Sequence, residues 1–305
     1  MMVVSGFTAL KDVVYKTVNG MELSLDILIP DKPVSIPCPA VMYIHGGGWN
    51  GGDKQNYGGQ VWNASLAQQG FVAINVNYRF SSQAIFPAQI IDLKDAVQWI
   101  RAHAERYGIH PGRIGVWGHS AGGHLAALLG TSGDHSPWEK GEISTAVQAA
   151  CSVSGGMDLI ALAEYGNDAE AALIGATLEN IHEHKELADL ACPMTHIHEH
   201  MPPFLIIHGE EDAIVPIIES EKLYAKLDNA TFIKIKNGDH FFIKGNLEFQ
   251  DLVITVAHFF RKQLIGTARH DIIEQDIDRI IPTNDRKRLT PEFYAEWGKL
   301  FEQYT

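Results

Sequence analysis

The stretch that decides the fold is R-I-G-V-W-G-H-S-A-G-G-H-L-A, residues 113–126. Its apolar first part predicts a buried strand, and residues 120–129 predict a helix that follows at once. Ser120 lies at the turn between them, inside the pattern G-x-S-x-G. Small residues on both sides of such a turn avoid clashes and leave the hydroxyl free to project, and the helix N-terminus favours negative charge beside it. The pattern alone is weak, but this context favours a nucleophilic serine.

A serine hydroxyl is a poor nucleophile and needs a base. The chain has 15 histidines, so position must select among them. His240 lies in N-G-D-H-F, just after the last predicted core strand at 231–235. Loops that follow parallel strands gather at one edge of the sheet, so we expect His240 to reach the same edge as Ser120.

An acid is needed to hold the tautomer of the base. Asp212 lies in H-G-E-E-D, after the predicted strand 204–207. We prefer Asp212 to its neighbours because a few residues of turn are needed before the side chain can swing back, and Glu211 is the fallback. The chain order Ser120, Asp212, His240 is that of the α/β-hydrolases.

Three consecutive glycines follow another predicted strand, at 40–44, in H-G-G-G-W. Glycines let main-chain N–H groups approach a ligand closely. We therefore predict that the N–H groups of Gly47 and Gly48, with that of Ala121, form an oxyanion hole, and that losing one donor costs about 3 kcal/mol. His45 braces this loop in the same interpretation.

Two aromatic neighbours of these motifs are predicted to line the substrate pocket. Trp49 ends the glycine motif and His119 precedes the candidate nucleophile. For Trp49, packing in the core is the alternative.

The order of the elements predicts an α/β fold. Nearly continuous apolar runs separated mostly by helical patterns indicate parallel strands covered on both faces. These runs lie at 40–44, 71–76, 114–117, 147–153, 204–207 and 231–235. Residues 13–18 and 21–29 precede them as a hairpin joined by Asn19-Gly20. We expect an eight-stranded, mostly parallel sheet with helices on both faces.

The domain organisation is predicted as one unit at 1–265 and a helical tail at 266–305. Residues 158–203 form a long connection between core strands, which is typical of a lid or a binding insertion. In the tail, Phe293, Trp297, Leu300 and Phe301 form an apolar stripe that would dock on the domain or on a second subunit, so a homodimer is one expectation.

Composition excludes several classes of protein. The 305 residues carry a formal net charge of -13, which disfavours nucleic acid and anionic membrane surfaces as partners. No apolar stretch approaches the length of a membrane span, and the first 20 residues lack the features of a signal peptide. The three cysteines form a poor disulfide framework, which favours a reducing, cytoplasmic location.

Two cofactor hypotheses are weak. Residues 46–51 match G-x-G-x-x-G after a strand, but no helical stripe follows and no acid lies about 20 residues on, as dinucleotide binding requires. Histidines between 182 and 200 suggest a metal, yet no H-E-x-x-H or cysteine pair supports one. We expect neither a cofactor nor a metal.

Taken together, the motifs resemble the α/β-hydrolase esterases that carry an H-G-G-G motif, and among them the bacterial BD-FAE-like group of acetylxylan/feruloyl esterases. Further motifs that carry the resemblance are G-D-K at 52–54, N-Y-R at 77–79, F-P-A-Q at 86–89, D-A-I-V-P at 212–216 and G-D-H at 238–240. The resemblance covers residues 11–264, and His119 stands where relatives often carry other residues. It implies hydrolysis of carboxylic esters without metal or cofactor, with the 158–203 insertion roofing part of the pocket.

The predicted function is hydrolysis of small acetyl, short-chain acyl or aryl esters through an acyl-enzyme. Two alternatives use the same residues: an amidase like the kynurenine formamidases, and a deacetylase of acetylated oligosaccharides. A third alternative is a binding protein that kept the fold and lost catalysis, which the presence of serine, acid and histidine disfavours.

Overall fold

The structure is a computed structural model that describes residues 6–135, 137–138, 141–166, 168–242 and 249–266. It contains one eight-stranded sheet. The strands are β1 (Phe7–Val18), β2 (Met21–Pro30), β3 (Cys38–Ile44), β4 (Val72–Val76), β5 (Ile109–His119), β6 (Ala149–Val153), β7 (Phe204–Gly209) and β8 (Ala230–Ile235).

The strand order is β1-β2-β4-β3-β5-β6-β7-β8. The hairpin β1–β2 pairs antiparallel and joins β4 antiparallel, and every pair from β4 through β3 to β8 is parallel. The predicted eight-stranded, mostly parallel sheet with a leading antiparallel hairpin is therefore confirmed. Its central strand, β5, is the one that ends at the candidate nucleophile.

Helices cover both faces of the sheet. They are α1 (Ala64–Gln68), α2 (Ala88–Ala102), α3 (Ala121–Ser132), α4 (Leu159–Ala163), α5 (Ala169–Leu173), α6 (Lys185–Ala191), α7 (Ile218–Tyr224) and α8 (Phe249–Ile265). A π-helical turn, Gly58–Asn63, leads directly into α1. Short 3-10 turns follow α2, follow α3 and flank α6.

The alternation of side chains along each strand divides the core into two layers. In β3, Ala40, Met42 and Ile44 pack towards α2 and α3. Val41 and Tyr43 point the other way and pack with α1 and α8. Because both faces are covered, β3, β4 and β6 are buried along their whole length, as the continuous apolar runs predicted.

The predicted insertion at 158–203 contains α4, α5 and α6 joined by short turns. The predicted tail lies outside the described residues except for Gly266, and so does its apolar stripe. Within the described ranges, no helix combines the length and the apolar character that crossing a bilayer requires.

Candidate active site

Ser120 lies in a strained turn between β5 and α3. Its φ of 57° is in the left-handed region, which non-glycine residues enter only where the surroundings impose it. The Ser120 N–H donates to the carbonyl of Val153 at 2.9 Å, and this bond ties the turn to β6. The strand–turn–helix geometry that the sequence predicted is therefore present.

Glycines let this turn pack against the end of β3. A β-carbon on Gly122 would lie 2.1 Å from the carbonyl oxygen of Ile44, and one on Gly118 would lie 2.3 Å from the carbonyl oxygen of Gly122. A β-carbon on Gly46 would lie 3.2 Å from that of Ser120. The glycine loop after β3 and the serine turn after β5 are thus in direct contact.

The glycine loop presents candidate oxyanion donors. Gly47 and Gly48 have φ values of 123° and 57°, which suit glycine, and Ala121 opens α3. In the described part of the chain, the N–H groups of these three residues donate to no protein acceptor. They are thus available to a bound oxygen.

His45, at the start of this loop, is held in place by Tyr78. Its ring stacks on that of Tyr78 with centroids 4.5 Å apart, and the Tyr78 hydroxyl donates to the His45 carbonyl at 3.0 Å. Burial lowers the pKa of His45 to about 4, so the ring is neutral at pH 7 and suits a bracing contact better than proton transfer.

The candidate base and acid form a tight pair. His240 Nδ1 donates to Asp212 Oδ2 at 2.7 Å, while the N–H groups of Ile214 and Val215 donate to Oδ1 at 2.9 and 2.8 Å. Burial alone would raise the pKa of Asp212, but hydrogen bonds from His208 and His240 hold it well below its ordinary value. The carboxylate is therefore ionised, and His240 Nε2 is left with a lone pair.

His119 joins the serine turn to the histidine loop. Its Nε2 donates to the carbonyl of His240 at 2.7 Å, and the two rings lie 4.8 Å apart. Burial, and then the nearby His240 ring, lower the pKa of His119 to about 3, so it is neutral at pH 7. In the described part of the chain, no hydrogen bond joins the Ser120 hydroxyl to His240. Such bonds are often long in unliganded enzymes.

Trp49 is packed into the core. Its side chain is 4% exposed, and Nε1 donates to His124 Nδ1 at 3.1 Å. His119 is buried as well, beneath the His240 loop. The structure thus gives both residues packing contacts, and a pocket role for either stays a prediction.

Sequence reasoning missed two buried polar groups, in β7 and α7. His208 in β7 lies 3.2 Å from Asp212 Oδ2 through its Nε2. Glu219 in α7 is fully buried and accepts from the N–H groups of Met157 and Asp158 at 3.0 and 2.7 Å. The one available signal was His208 itself, a polar residue at the end of an apolar strand.

A third missed group, Glu170 in α5, is 3% exposed, and its Oε2 has no hydrogen-bond partner. Burial raises its pKa to about 7, with further raising by Asp168 and Glu219. The adjacent Ala169 lies against the glycine loop, because its β-carbon would be 3.4 Å from one built on Gly48. The insertion therefore contacts the candidate oxyanion loop.

Two histidines of the histidine-rich segment form a small ring cluster with His135. The rings of His135 and His198 lie 4.1 Å apart, and that of His200 lies 6.4 Å from His198. Among the residues that the structure describes, no group of three or more His, Cys, Asp or Glu side chains is arranged to hold a metal ion.

The sheet topology, the serine turn and the loop after β3 define the class: this is an α/β-hydrolase fold. The family model BD-FAE matches residues 25–227, and the chain therefore belongs to that family. The resemblance drawn from the sequence motifs is confirmed.

Several known proteins that are similar to this chain in sequence or structure carry the name esterase. Esterase LipQ of Mycobacterium tuberculosis is 30% identical over 84% of this chain and 60% of its own length. A truncated form of a carbohydrate esterase from gut microbiota is 27% identical with a TM-score of 0.75, covering 87% of this chain and 99% of that one. Thermogutta terrifontis esterase 2 phosphorylated by paraoxon is 25% identical with a TM-score of 0.65, covering 87% and 96%.

This chain spans only part of the length of its curated relatives. The matched shares of LipM, LipQ and LipC, all from Mycobacterium tuberculosis, are 44%, 60% and 50%.

Proposed function

We propose that this protein is a serine carboxylesterase that hydrolyses small carboxylic esters through an acyl-enzyme. The observation that carries the proposal is the strained Ser120 turn, packed against the glycine loop and bridged through His119 to the His240–Asp212 pair. The names of the relatives, which are ester hydrolases and esterases, support the same reaction class.

In the proposed first step, His240 Nε2 takes the proton of the Ser120 hydroxyl, which attacks the ester carbonyl carbon. The bond between Nδ1 and Asp212 fixes the tautomer that leaves Nε2 free to accept. The ionised carboxylate then stabilises the imidazolium that forms.

The tetrahedral oxyanion is bound by the N–H groups of Gly47, Gly48 and Ala121. These donors are preorganised by the loop and by the helix N-terminus, so they need no rearrangement as charge develops. The alcohol leaves with the proton held by His240, and a water molecule frees the acyl group by the same route.

The test combines turnover with covalent labelling. Ser120→Ala should lower kcat for p-nitrophenyl acetate by several orders of magnitude and abolish labelling by a fluorophosphonate, while the folded chain keeps its circular dichroism. Ser132→Ala, which changes a buried serine at the end of α3, is the matched control and should label like the wild type. Full turnover by Ser120→Ala would overturn the proposal.

A second candidate, deacetylation of acetylated oligosaccharides, is favoured by the similarity to a carbohydrate esterase. Acetylated xylo-oligosaccharides assayed beside acetyl, butyryl, octanoyl and feruloyl esters separate it from general ester hydrolysis. N-formylkynurenine in the same panel tests the amidase alternative. A kcat/KM that is highest for the acetylated sugar would support the carbohydrate reading, and equal values for all acetyl esters would refute it.

A further inference from the structure

The candidate acid is contacted by a histidine that the proposed reaction does not use. His208 is the fifth residue of β7 and is fully buried. Its Nε2 lies 2.8 Å from the Val215 carbonyl oxygen and 3.2 Å from Asp212 Oδ2, and its Nδ1 lies 2.7 Å from Ser220 Oγ. Every ring nitrogen therefore has a polar partner.

These partners decide which nitrogen of His208 carries the proton. A carbonyl oxygen only accepts hydrogen bonds, so Nε2 is the protonated nitrogen and donates towards Val215 and Asp212. Nδ1 then has a lone pair and accepts from the Ser220 hydroxyl. Ser220, fully buried in α7, thus selects the tautomer that faces the acid.

The two imidazoles converge on one oxygen of the acid. Asp212 Oδ2 accepts from Nδ1–H of His240 and lies 3.2 Å from Nε2 of His208, while main-chain N–H groups hold Oδ1. The carboxylate is thus fixed at both oxygens, and its charge is shared between base and second histidine. An apolar side chain would fill this strand position without the cost of burying an imidazole, so the polar contacts are what the histidine adds.

We propose that His208, held by Ser220, is a positioning residue that fixes the Asp212 carboxylate against His240 and moderates its pull on the base. This inference rests on the proposed function, because it gives Asp212 and His240 their roles in ester hydrolysis.

The direct test is His208→Phe, which keeps a ring and removes both nitrogens. We expect kcat for p-nitrophenyl acetate to fall about 10- to 100-fold with KM within about threefold, since misplaced catalytic groups lose rate more than binding. The acidic limb of the kcat/KM profile should move up by about half a pH unit, because the carboxylate charge is then concentrated on His240. His208→Gln restores an N–H near the position of Nε2, and should return the limb to its wild-type pH.

Ile206→Ala is the matched control. Ile206 lies two residues earlier in β7, is fully buried and makes no polar contact with the acid, so its truncation lowers stability and leaves the limb in place. If His208→Phe fails to fold, Ser220→Ala takes its place, because it removes the hydroxyl that selects the tautomer of His208. It should also move the acidic limb of the kcat/KM profile to higher pH, with a fall in kcat of about threefold.

A limb that stays at the wild-type pH in His208→Phe or Ser220→Ala, with turnover lost only in parallel with stability as in Ile206→Ala, would overturn the positioning role. Ser120→Ala separates this failure from a wider one. If Ser120→Ala keeps its turnover, the proposed function itself is wrong. If Ser120→Ala is inactive but the acidic limb of the His208→Phe profile stays at the wild-type pH, only the positioning role of His208 is wrong.

Discussion

Replacing Asp212 by asparagine tests the proposed triad most sharply, because the structure fixes how the amide must sit. Two main-chain N–H groups donate to Oδ1, so the amide oxygen has to occupy that site. The reverse orientation would set an NH2 group against both donors and give up two hydrogen bonds, at a cost of about 2 kcal/mol or more. The amide NH2 is therefore forced towards His240 and His208.

A donor in that place reverses the tautomer of the base. His240 Nδ1 must accept from the amide, which moves its proton to Nε2 and removes the lone pair that would accept from Ser120. We expect kcat to fall about 10⁴-fold, equivalent to about 5 kcal/mol of transition-state stabilisation, with little change in KM.

The assay is p-nitrophenyl acetate hydrolysis at pH 7.5 over a range of substrate concentrations, with circular dichroism as the check on folding. Glu211→Gln is the control, because Glu211 is exposed and is the alternative acid that the sequence left open. If Asp212→Asn kept more than a tenth of wild-type kcat, or if Glu211→Gln lost activity instead, the assignment of the acid would be wrong.

Three further variants probe the turn, the insertion and the base. Gly122→Ala places a β-carbon 2.1 Å from a β3 carbonyl oxygen and should cost about 3 kcal/mol in urea unfolding, whereas Gly51→Ala, with its nearest atom at 3.9 Å, should be near neutral; equal costs would contradict the packing described. Burial raises the pKa of Glu170 to about 7 from its ordinary 4.5, so ionisation of this carboxyl destabilises the folded state. The free energy of unfolding should therefore fall by on the order of 3 kcal/mol as the pH rises from about 4.5 to 7. Glu170→Gln should abolish this decrease, and an unchanged decrease would refute the argument from burial. His119→Phe removes the hydrogen bond to the His240 carbonyl and should lower kcat about tenfold at near-constant KM; wild-type kinetics would show that the bridge is dispensable.

The sequence predicted the sheet well because its signals were local and agreed with one another. Alternation and the Asn19-Gly20 turn marked the hairpin, and continuous apolar runs marked the buried strands. The ends of strands were less predictable. β5 starts at Ile109, well before the predicted run at 114–117, because Ile109 pairs with Cys38 across a register shift that only the sheet specifies.

The residues of the candidate site could be predicted where a reactive side chain directly follows a predicted parallel strand. Loops that follow parallel strands share one edge of the sheet, so the local motifs and their positions after predicted strands could select Ser120, Asp212 and His240. The contacts of His208 and Glu219 could not be found this way, because they depend on α7 packing beside β7. The helices of the 158–203 insertion could not be predicted either, because segments of five to seven residues show little helical periodicity.

The order of strands in the sheet gives the segments that hold the proposed catalytic residues unequal local stability. The nucleophile follows β5, which is flanked on both sides, whereas the base follows β8, a half-exposed strand at the rim with a single neighbour. Rim strands open at lower free energy than central ones. On gentle heating, turnover should therefore vanish before the near-ultraviolet signal of the interior tryptophans, and backbone amides of β8 should exchange with deuterium ahead of those of β5. Substitutions that stabilise β8, three strands away from β5 in the sheet, should then extend the lifetime of activity most.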